Sequence, residues 1–284
     1  MDDVRDGEGA GASAGPGLEA VLVRLVDPAT STRRTAAART RLANDPTTRA
    51  LLEAGVEVLL REIGGAEEAG AGGGRDGPGG PLGHGADLPQ TRFLEVLSAR
   101  RVSAAATAAG PLRVTSWHLR DRWARSSDYV EDLLAYSLWP QHWLAAYSAR
   151  MRDLRLPAGP QDVARLVAAV AEATLVVSAL PVSTRVEVLA SALGPVRPGL
   201  RAARARAQAE LNATWSATWA ELFGAAGHVA RSPRHLRDGV RAAAALAEGA
   251  NLRLLALGDT PEHRAEAVRL LVTGGLALAR ACLE

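Results

Sequence analysis

The chain has 284 residues, a formal net charge of +2 and 33 basic side chains, every one of them arginine. The absence of lysine excludes chemistry that needs a lysine amine, such as a Schiff base or the lysine of a phosphate-binding loop. A single cysteine, Cys282, excludes an internal disulfide and favours a cytoplasmic protein.

Two segments of low sequence complexity stand out along the chain. Residues 1–16 are acidic and glycine-rich, unlike a secretory signal, and residues 64–87 contain 11 of the 28 glycines. Segments of this composition cannot bury enough apolar surface to fold. We therefore predict that both are disordered.

The rest of the chain has a helical pattern. Alanine, leucine, arginine and glutamate dominate, and the alternation typical of β-strands is absent, so we predict an all-α fold. A capping side chain followed by proline marks helix starts at Asp45-Pro46, Ser232-Pro233 and Thr260-Pro261, and Gly258 is expected to end a helix. The predicted helices cover about Thr47–Ile63, Ser127–Trp139, a segment ending near Arg155, Gln161–Leu180, Thr184–Leu193, Leu200–Phe223, Arg234–Leu257 and Glu262–Leu283.

Residues 93–123 can be divided into three short helices. We expect a turn at Gly110, in the left-handed backbone conformation that glycine tolerates. The third helix would bury Val114, Leu119 and Trp123, which is the arrangement of a helix-turn-helix whose third helix enters the major groove of DNA. Its outward face would carry Arg113, Thr115, Ser116, Trp117, His118, Arg120 and Arg122.

Residues 91–125 are strongly basic although the whole chain is nearly neutral. They hold seven arginines and two acids, a local excess of +5 that would attract phosphate groups. Arginine also binds guanine, and an exposed tryptophan can pack on a sugar or a base. Our DNA-binding candidates are therefore Arg101 and the seven residues of the outward face. The same pattern also fits an arginine-rich surface helix with two aromatic residues in the core.

The stretch AAG, followed by VTSWHLRDRWARSSDYVEDLLAY, resembles the DNA-binding region of TetR-family repressors. The matching positions are Val114-Thr115, Arg120, Arg122-Trp123 and Ser126–Leu134. Pro111–Arg113 lengthen the turn relative to that family, and Arg120 stands where the family usually has tyrosine. The family's first helix matches either Thr48–Ile63 or Thr91–Ala99.

Residues Leu236–Arg280 resemble the last two helices of the same family, so the resemblance spans residues 91–283. In that family these helices form a homodimer interface, and the helices before them enclose a small-molecule pocket. The resemblance implies a dimeric regulator, in the family usually a repressor, that a small apolar ligand releases from double-stranded operator DNA. A stripe of small residues would permit close packing between subunits: Ala242–Ala245, Ala247, Ala250, Ala265, Ala267, Gly274 and Gly275.

Two sets of aromatic residues recur at helical spacing. The first contains Tyr136, Trp139, Trp143 and Tyr147, and the second contains Trp215, Trp219 and Phe223. Each set fits either core packing or the wall of a ligand pocket. We predict that Trp143, Tyr147, Trp215 and Trp219 border an apolar pocket.

The predicted organisation is a disordered tail (1–16), N-terminal helices (17–63), a disordered insert (64–87), a helix-turn-helix DNA-binding domain (88–138) and a helical ligand-binding and dimerisation domain (139–284). The histidines lack ligand spacing and no catalytic motif is present, so we expect no metal site, no cofactor and no enzyme. We also expect no membrane span. One alternative remains, an all-α ligand-binding or protein-interaction module whose helix-turn-helix no longer binds DNA.

Overall fold

The computed structural model describes residues 17–30, 34–68, 97–153, 163–178 and 181–283. Eleven α-helices occupy these residues and no β-strand occurs among them, which confirms the all-α prediction. The helices are α1 (Ala36–Ala43), α2 (Pro46–Glu68), α3 (Ala99–Ala109), α4 (Ser116–Arg122), α5 (Ser126–Ser137), α6 (Gln141–Asp153), α7 (Val163–Ser178), α8 (Pro181–Leu193), α9 (Pro198–Ala225), α10 (Pro233–Leu257) and α11 (Pro261–Cys282).

The three proline-capped helices begin where the sequence predicts. At the start of α2 the carboxylate of Asp45 accepts the backbone N–H of Thr47 at 2.8 Å. The hydroxyl groups of Ser232 and Thr260 cap α10 and α11 in a similar way. Gly258, with φ of 90°, ends α10 as expected.

The predicted disordered insert is partly wrong. Helix α2 continues through Glu68, so residues 64–68 belong to a helix although Gly64 and Gly65 disfavour one there. The remainder of the insert (69–87) and the N-terminal tail (1–16) lie outside the described residues.

The buried apolar residues form two clusters. One joins residues 18–59 to residues 97–139, and side chains of α8 and of the start of α9 also belong to it. The other is built from residues 147–283, on α6, α7, α9, α10 and α11. We call residues 17–139 the N-terminal unit and residues 140–283 the C-terminal unit. The predicted N-terminal helices thus share one core with the helix-turn-helix segment.

A buried carboxylate, Asp132 on α5, ties the N-terminal unit together. It accepts the backbone N–H groups of Val23, Arg24 and Leu25 at 2.6, 2.7 and 2.8 Å, and the indole N–H of Trp123 at 2.8 Å. Burial raises the pKa of Asp132 to about 6, and the four donors oppose that rise. These bonds fix residues 23–25 and the end of α4 to the same helix.

Small residues let the helices of the C-terminal unit approach closely. Ala244, Ala247, Ala250 and Ala267 are buried where α10 packs against its neighbours. A methyl group added to Gly275 would lie 2.7 Å from a methyl carbon of Val167, so α11 and α7 are in close contact. Much of the small-residue stripe that we assigned to a dimer interface therefore packs helices of a single chain against one another.

Candidate nucleic-acid interface and ligand cavity

The segment predicted as a helix-turn-helix contains α3, a six-residue connection (110–115) and α4. Val102 and Ala106 of α3 are buried, and α2 packs against both α3 and α4. Helix α2, which includes the first-helix candidate Thr48–Ile63, therefore lies beside this pair. Residues 91–96 of the other candidate segment lie outside the described residues.

The turn is shaped by Thr107 and not by its glycine. Gly110 has φ of −156° and ψ of −178°, which is extended backbone that any residue adopts, so the expected left-handed conformation is wrong. The Thr107 hydroxyl instead accepts the N–H of Val114 at 3.0 Å and donates to its carbonyl at 2.8 Å. Val114 is held in this way with its side chain buried, as predicted.

The inward face of α4 carries Leu119, Arg122 and Trp123, so the expectation that Arg122 faces DNA is corrected. Arg122 is only 8% exposed. Its guanidinium donates to the Thr48 hydroxyl at 2.8 Å, to Asp45 at 2.9 Å and to the backbone carbonyl of His118 at 3.1 Å. The sequence at the α1–α2 junction supplies the partners that allow a charged side chain to be buried there.

The outward face of α4 carries Trp117, which is 62% exposed, and Arg120, one helical turn further on. Arg113 and Thr115 are exposed in the turn before the helix, and Ser116 is partly exposed at its first position. Arg101 is exposed on α3. These six predicted residues thus reach the surface, and Arg122 does not.

The His118 side chain forms a hydrogen bond at the start of its own helix, α4. Its Nδ1 lies 3.0 Å from the backbone nitrogen of Thr115, which donates to it, and the ring also lies edge-on to Trp117 at 5.4 Å between centroids. The side chain therefore caps the N-terminus of α4 and supports the exposed tryptophan. Its remaining ring nitrogen is the part that a DNA contact would use.

The one acidic side chain of α4 is paired with an arginine. Asp121 on α4 is paired with Arg34, whose guanidinium lies 3.0 Å from the carboxylate and 2.6 Å from the Asp121 carbonyl oxygen. Arg113, Arg120 and Arg125 form no ion pair with any residue in the part of the chain that the structure describes. Within the described residues these three arginines thus have no acidic partner, and Arg120 lies one helical turn from the exposed Trp117.

A second candidate site is a cavity within the C-terminal unit. Between α7, α9, α10 and α11 it leaves about 40 Å³ in which the centre of a water-sized sphere fits, and it opens partly to solvent. Its lining contains no charged side chain. The residues that line it are Leu166, Val167, Val170, Ala171, Thr174, Trp215, Trp219, Leu222, Phe223, Ala243, Leu246, Ala247, Leu271 and Gly275.

Of the four aromatic residues predicted to border a pocket, Trp215 and Trp219 line the cavity. Tyr147 lies behind its wall, stacked on Trp215 with 5.6 Å between ring centroids and 24° between ring planes. Burial raises the pKa of Tyr147, and the Trp219 indole opposes that rise. The side chain of Trp143 lies outside the described residues. The periodic spacing could not distinguish a ring in the wall from one packed behind it.

Comparisons with protein-family models, with curated proteins and with solved structures give no significant match to this chain. Among the described residues, no group of three or more histidine, cysteine or acidic side chains could bind a metal ion. None of the described helices has both the length and the apolar character needed to cross a bilayer.

Proposed function

We propose that this chain is a ligand-responsive, DNA-binding transcriptional regulator of TetR type that acts as a homodimer. The observation that carries the proposal is the outward face of α4 with the turn before it, where Trp117, Arg120 and Arg113 are exposed. Pairing of Asp121 with Arg34 removes the acid that would repel phosphate. In this proposal α4 enters the major groove, where arginine contacts phosphate or guanine and the indole packs on the backbone or a base.

The C-terminal unit would supply both the dimer contact and the ligand site. Leu252, Leu255 and Leu257 on α10 and Leu270 on α11 are exposed large apolar side chains, which favour a partner surface. With much of the small-residue stripe buried inside the chain, these leucines become the basis for the homodimer. Light scattering that finds a monomer at micromolar concentration would contradict this part of the proposal.

Regulation would follow from the cavity that lies against α10 and α11. A small apolar molecule that binds one dimer arrangement more tightly than another shifts the population toward it. The spacing of the two α4 helices would change with that population, and repression would be relieved. The proposal as a whole therefore requires a DNA site, a dimer and an effector.

The test is binding of the full chain to duplex DNA taken from upstream of its own gene, with a scrambled duplex as competitor. Trp117→Ala and Arg120→Ala should each weaken binding by about 5-fold to 150-fold, the equivalent of about 1–3 kcal/mol, without changing the melting temperature. Arg206→Ala, which removes an exposed arginine on α9, is the matched control and should bind as the parent does.

The alternative function, a ligand-binding or protein-interaction module, predicts a different pattern of results. The turn of six residues between α3 and α4 is the feature that favours it, because such turns usually have three or four. If neither the parent nor any variant discriminates the upstream duplex from the scrambled one, while ligand binding persists, the DNA-binding proposal is wrong and the alternative stands.

A further inference from the structure

The C-terminal end of α4 lies next to the exposed Arg120, yet by itself it would repel phosphate. The backbone carbonyl groups at the end of a helix carry partial negative charge, and Asp121 adds a full negative charge there. Arg34, in the segment just before α1, contacts both groups. Its Nη2 donates to the Asp121 carbonyl oxygen at 2.6 Å and to the Asp121 carboxylate at 3.0 Å.

This contact uses only one nitrogen of the Arg34 guanidinium. The Nε and Nη1 groups form no hydrogen bond within the described residues, and the side chain is 28% exposed. Because the bonds to Asp121 already hold the guanidinium in place, binding of an anion would not require a free side chain to be ordered. A guanidinium held in this way suits a phosphate group, which accepts two parallel N–H bonds from arginine.

Arg39 on α1 adds a second cation at the same place. Its Nη1 donates to the backbone carbonyl of Arg34, and its other N–H groups have no partner in the part of the chain that the structure describes. No acidic residue lies between Asp27 and Asp45 along the chain, and each of these two carboxylates is paired with another arginine. The positive charge of Arg39 is therefore available to a partner molecule.

We propose that Arg34 and Arg39 together bind a phosphate group of the DNA backbone beside the groove that α4 enters. The inference rests on the proposed function for the placement of α4, and it adds a contact from residues that precede the helix-turn-helix segment. A duplex fits this site because Arg120 and Arg125, which flank Asp121 along the chain, continue the basic surface. A phosphate contact is independent of base sequence, so it strengthens binding to every duplex equally.

The test measures how the affinity of the full chain depends on salt concentration, for the upstream duplex and for the scrambled one, in buffer without phosphate. The informative variant combines Arg34→Ala with Asp121→Asn, because this pair of changes leaves the net charge as it was. If Arg34 only neutralised Asp121, the double variant would bind as the parent does. If Arg34 contacts phosphate, the slope of log affinity against log salt becomes shallower by about one unit on both duplexes.

The matched control uses another ion pair of the N-terminal unit, Arg61 with Glu57 on α2. Arg61 lies about four helical turns from the start of α2, far from the junction with α1. Arg61→Ala with Glu57→Gln also leaves the net charge unchanged and should keep the slope of the parent. If the Arg34 variant fails to fold, Arg39→Ala compared with Arg61→Ala gives the same test, with an expected difference of about one unit.

The outcomes separate this inference from the proposed function. Unchanged slopes in the Arg34 and Arg39 variants, or equal changes in the controls, would overturn the inference. The proposed function would survive if Arg120→Ala still weakened binding to the upstream duplex. Shallower slopes in the Arg34 and Arg39 variants, with both duplexes bound equally well, would support the phosphate site and contradict a sequence-specific regulator. Failure to bind either duplex would overturn both.

Discussion

The N-terminal and C-terminal units are both helical, but their interiors differ in chemistry. In the N-terminal unit, the buried polar residues Asp132 and Arg122 each bond to groups from several different segments. In the C-terminal unit, alanine and glycine contacts and aliphatic side chains dominate, and a cavity remains. The indole N–H groups of Trp215 and Trp219 have no acceptor among the described residues. A directional network permits one arrangement, whereas an apolar interior tolerates several.

This contrast fits the two tasks in the proposed function. A surface that reads DNA must hold its side chains at fixed positions, and the bonds of Arg122 and Trp123 hold α4 from its inward face. A surface that responds to a ligand must have more than one accessible arrangement. Helix α8 and the start of α9 contribute to the N-terminal core while lying in the C-terminal unit, so they connect the two.

The largest expected effect comes from breaking the network at Asp132. Asp132→Asn replaces one accepting oxygen by an NH₂ group that faces buried N–H donors. We expect it to lower the free energy of unfolding by about 3–5 kcal/mol at pH 8, because buried donors lose their acceptor. Urea unfolding measures the change. Asp238→Asn on the exposed face of α10 is the control, with an expected change below about 0.5 kcal/mol. A similar loss in both variants would refute a special role for Asp132.

Arg122→Ala is the second test, and it separates a buried structural arginine from a DNA contact. It removes the buried guanidinium that donates to the Thr48 hydroxyl and the Asp45 carboxylate, so we expect a loss of about 2–3 kcal/mol in urea unfolding. Arg120→Ala, two residues away on the outward face, should change stability by less than about 0.5 kcal/mol. If the two variants are equally stable, our account of the inward face is wrong.

The helix starts could be predicted from sequence because proline and a capping side chain act locally, as at Ser232-Pro233. The Asp132 network could not, because its partners Val23, Arg24 and Leu25 lie 107 to 109 positions away along the chain. The prediction that Arg122 faces DNA was wrong because it assumed that an arginine is exposed, as arginines normally are. The spacing of Arg122 from Leu119 and Trp123 put it on the inward face. The stripe of small residues indicated close helix packing, but such a pattern cannot distinguish packing within one chain from packing between two.

A third test concerns the connection between the units. Burial and the nearby Glu248 raise the pKa of Glu187 on α8 to about 7, while Arg204 opposes the rise. Because this pKa lies above the ordinary value, the folded protein favours the protonated form of Glu187. The contribution of that carboxyl to the free energy of unfolding is complete below about pH 4.5 and is lost as the pH rises through 7. Glu187→Gln should be more stable than the parent by about 1–2 kcal/mol at pH 8 and equal to it near pH 4.5. The measurement is chemical unfolding across this pH range.

Glu221→Gln provides the matched comparison for that experiment, because Glu221 is exposed on α9. Its difference from the parent should be small and independent of pH. If the difference in unfolding free energy between Glu187→Gln and the parent also stays constant from pH 4.5 to 8, ionisation of Glu187 does not destabilise the connection between the units.

The smallest expected effect is at Gly110. Its backbone is extended, and a methyl group added there would meet no atom within 4 Å. Gly110→Ala should therefore be neutral or stabilising by about 0.5 kcal/mol. Thr107→Val removes both bonds to Val114 and should destabilise by about 1–2 kcal/mol. Thermal unfolding of both variants shows which residue shapes the turn, and a larger loss for Gly110→Ala would reverse our assignment.

The most direct test of the central claim is the salt dependence of DNA binding. The logarithm of the affinity is measured against the logarithm of the salt concentration for the parent and for the double variant Arg113→Ala, Arg120→Ala. If both arginines contact phosphate, the slope should become shallower by about two units, since each contact releases about one counterion. An identical slope and affinity for the double variant would contradict the assignment of α4 as the DNA-binding helix.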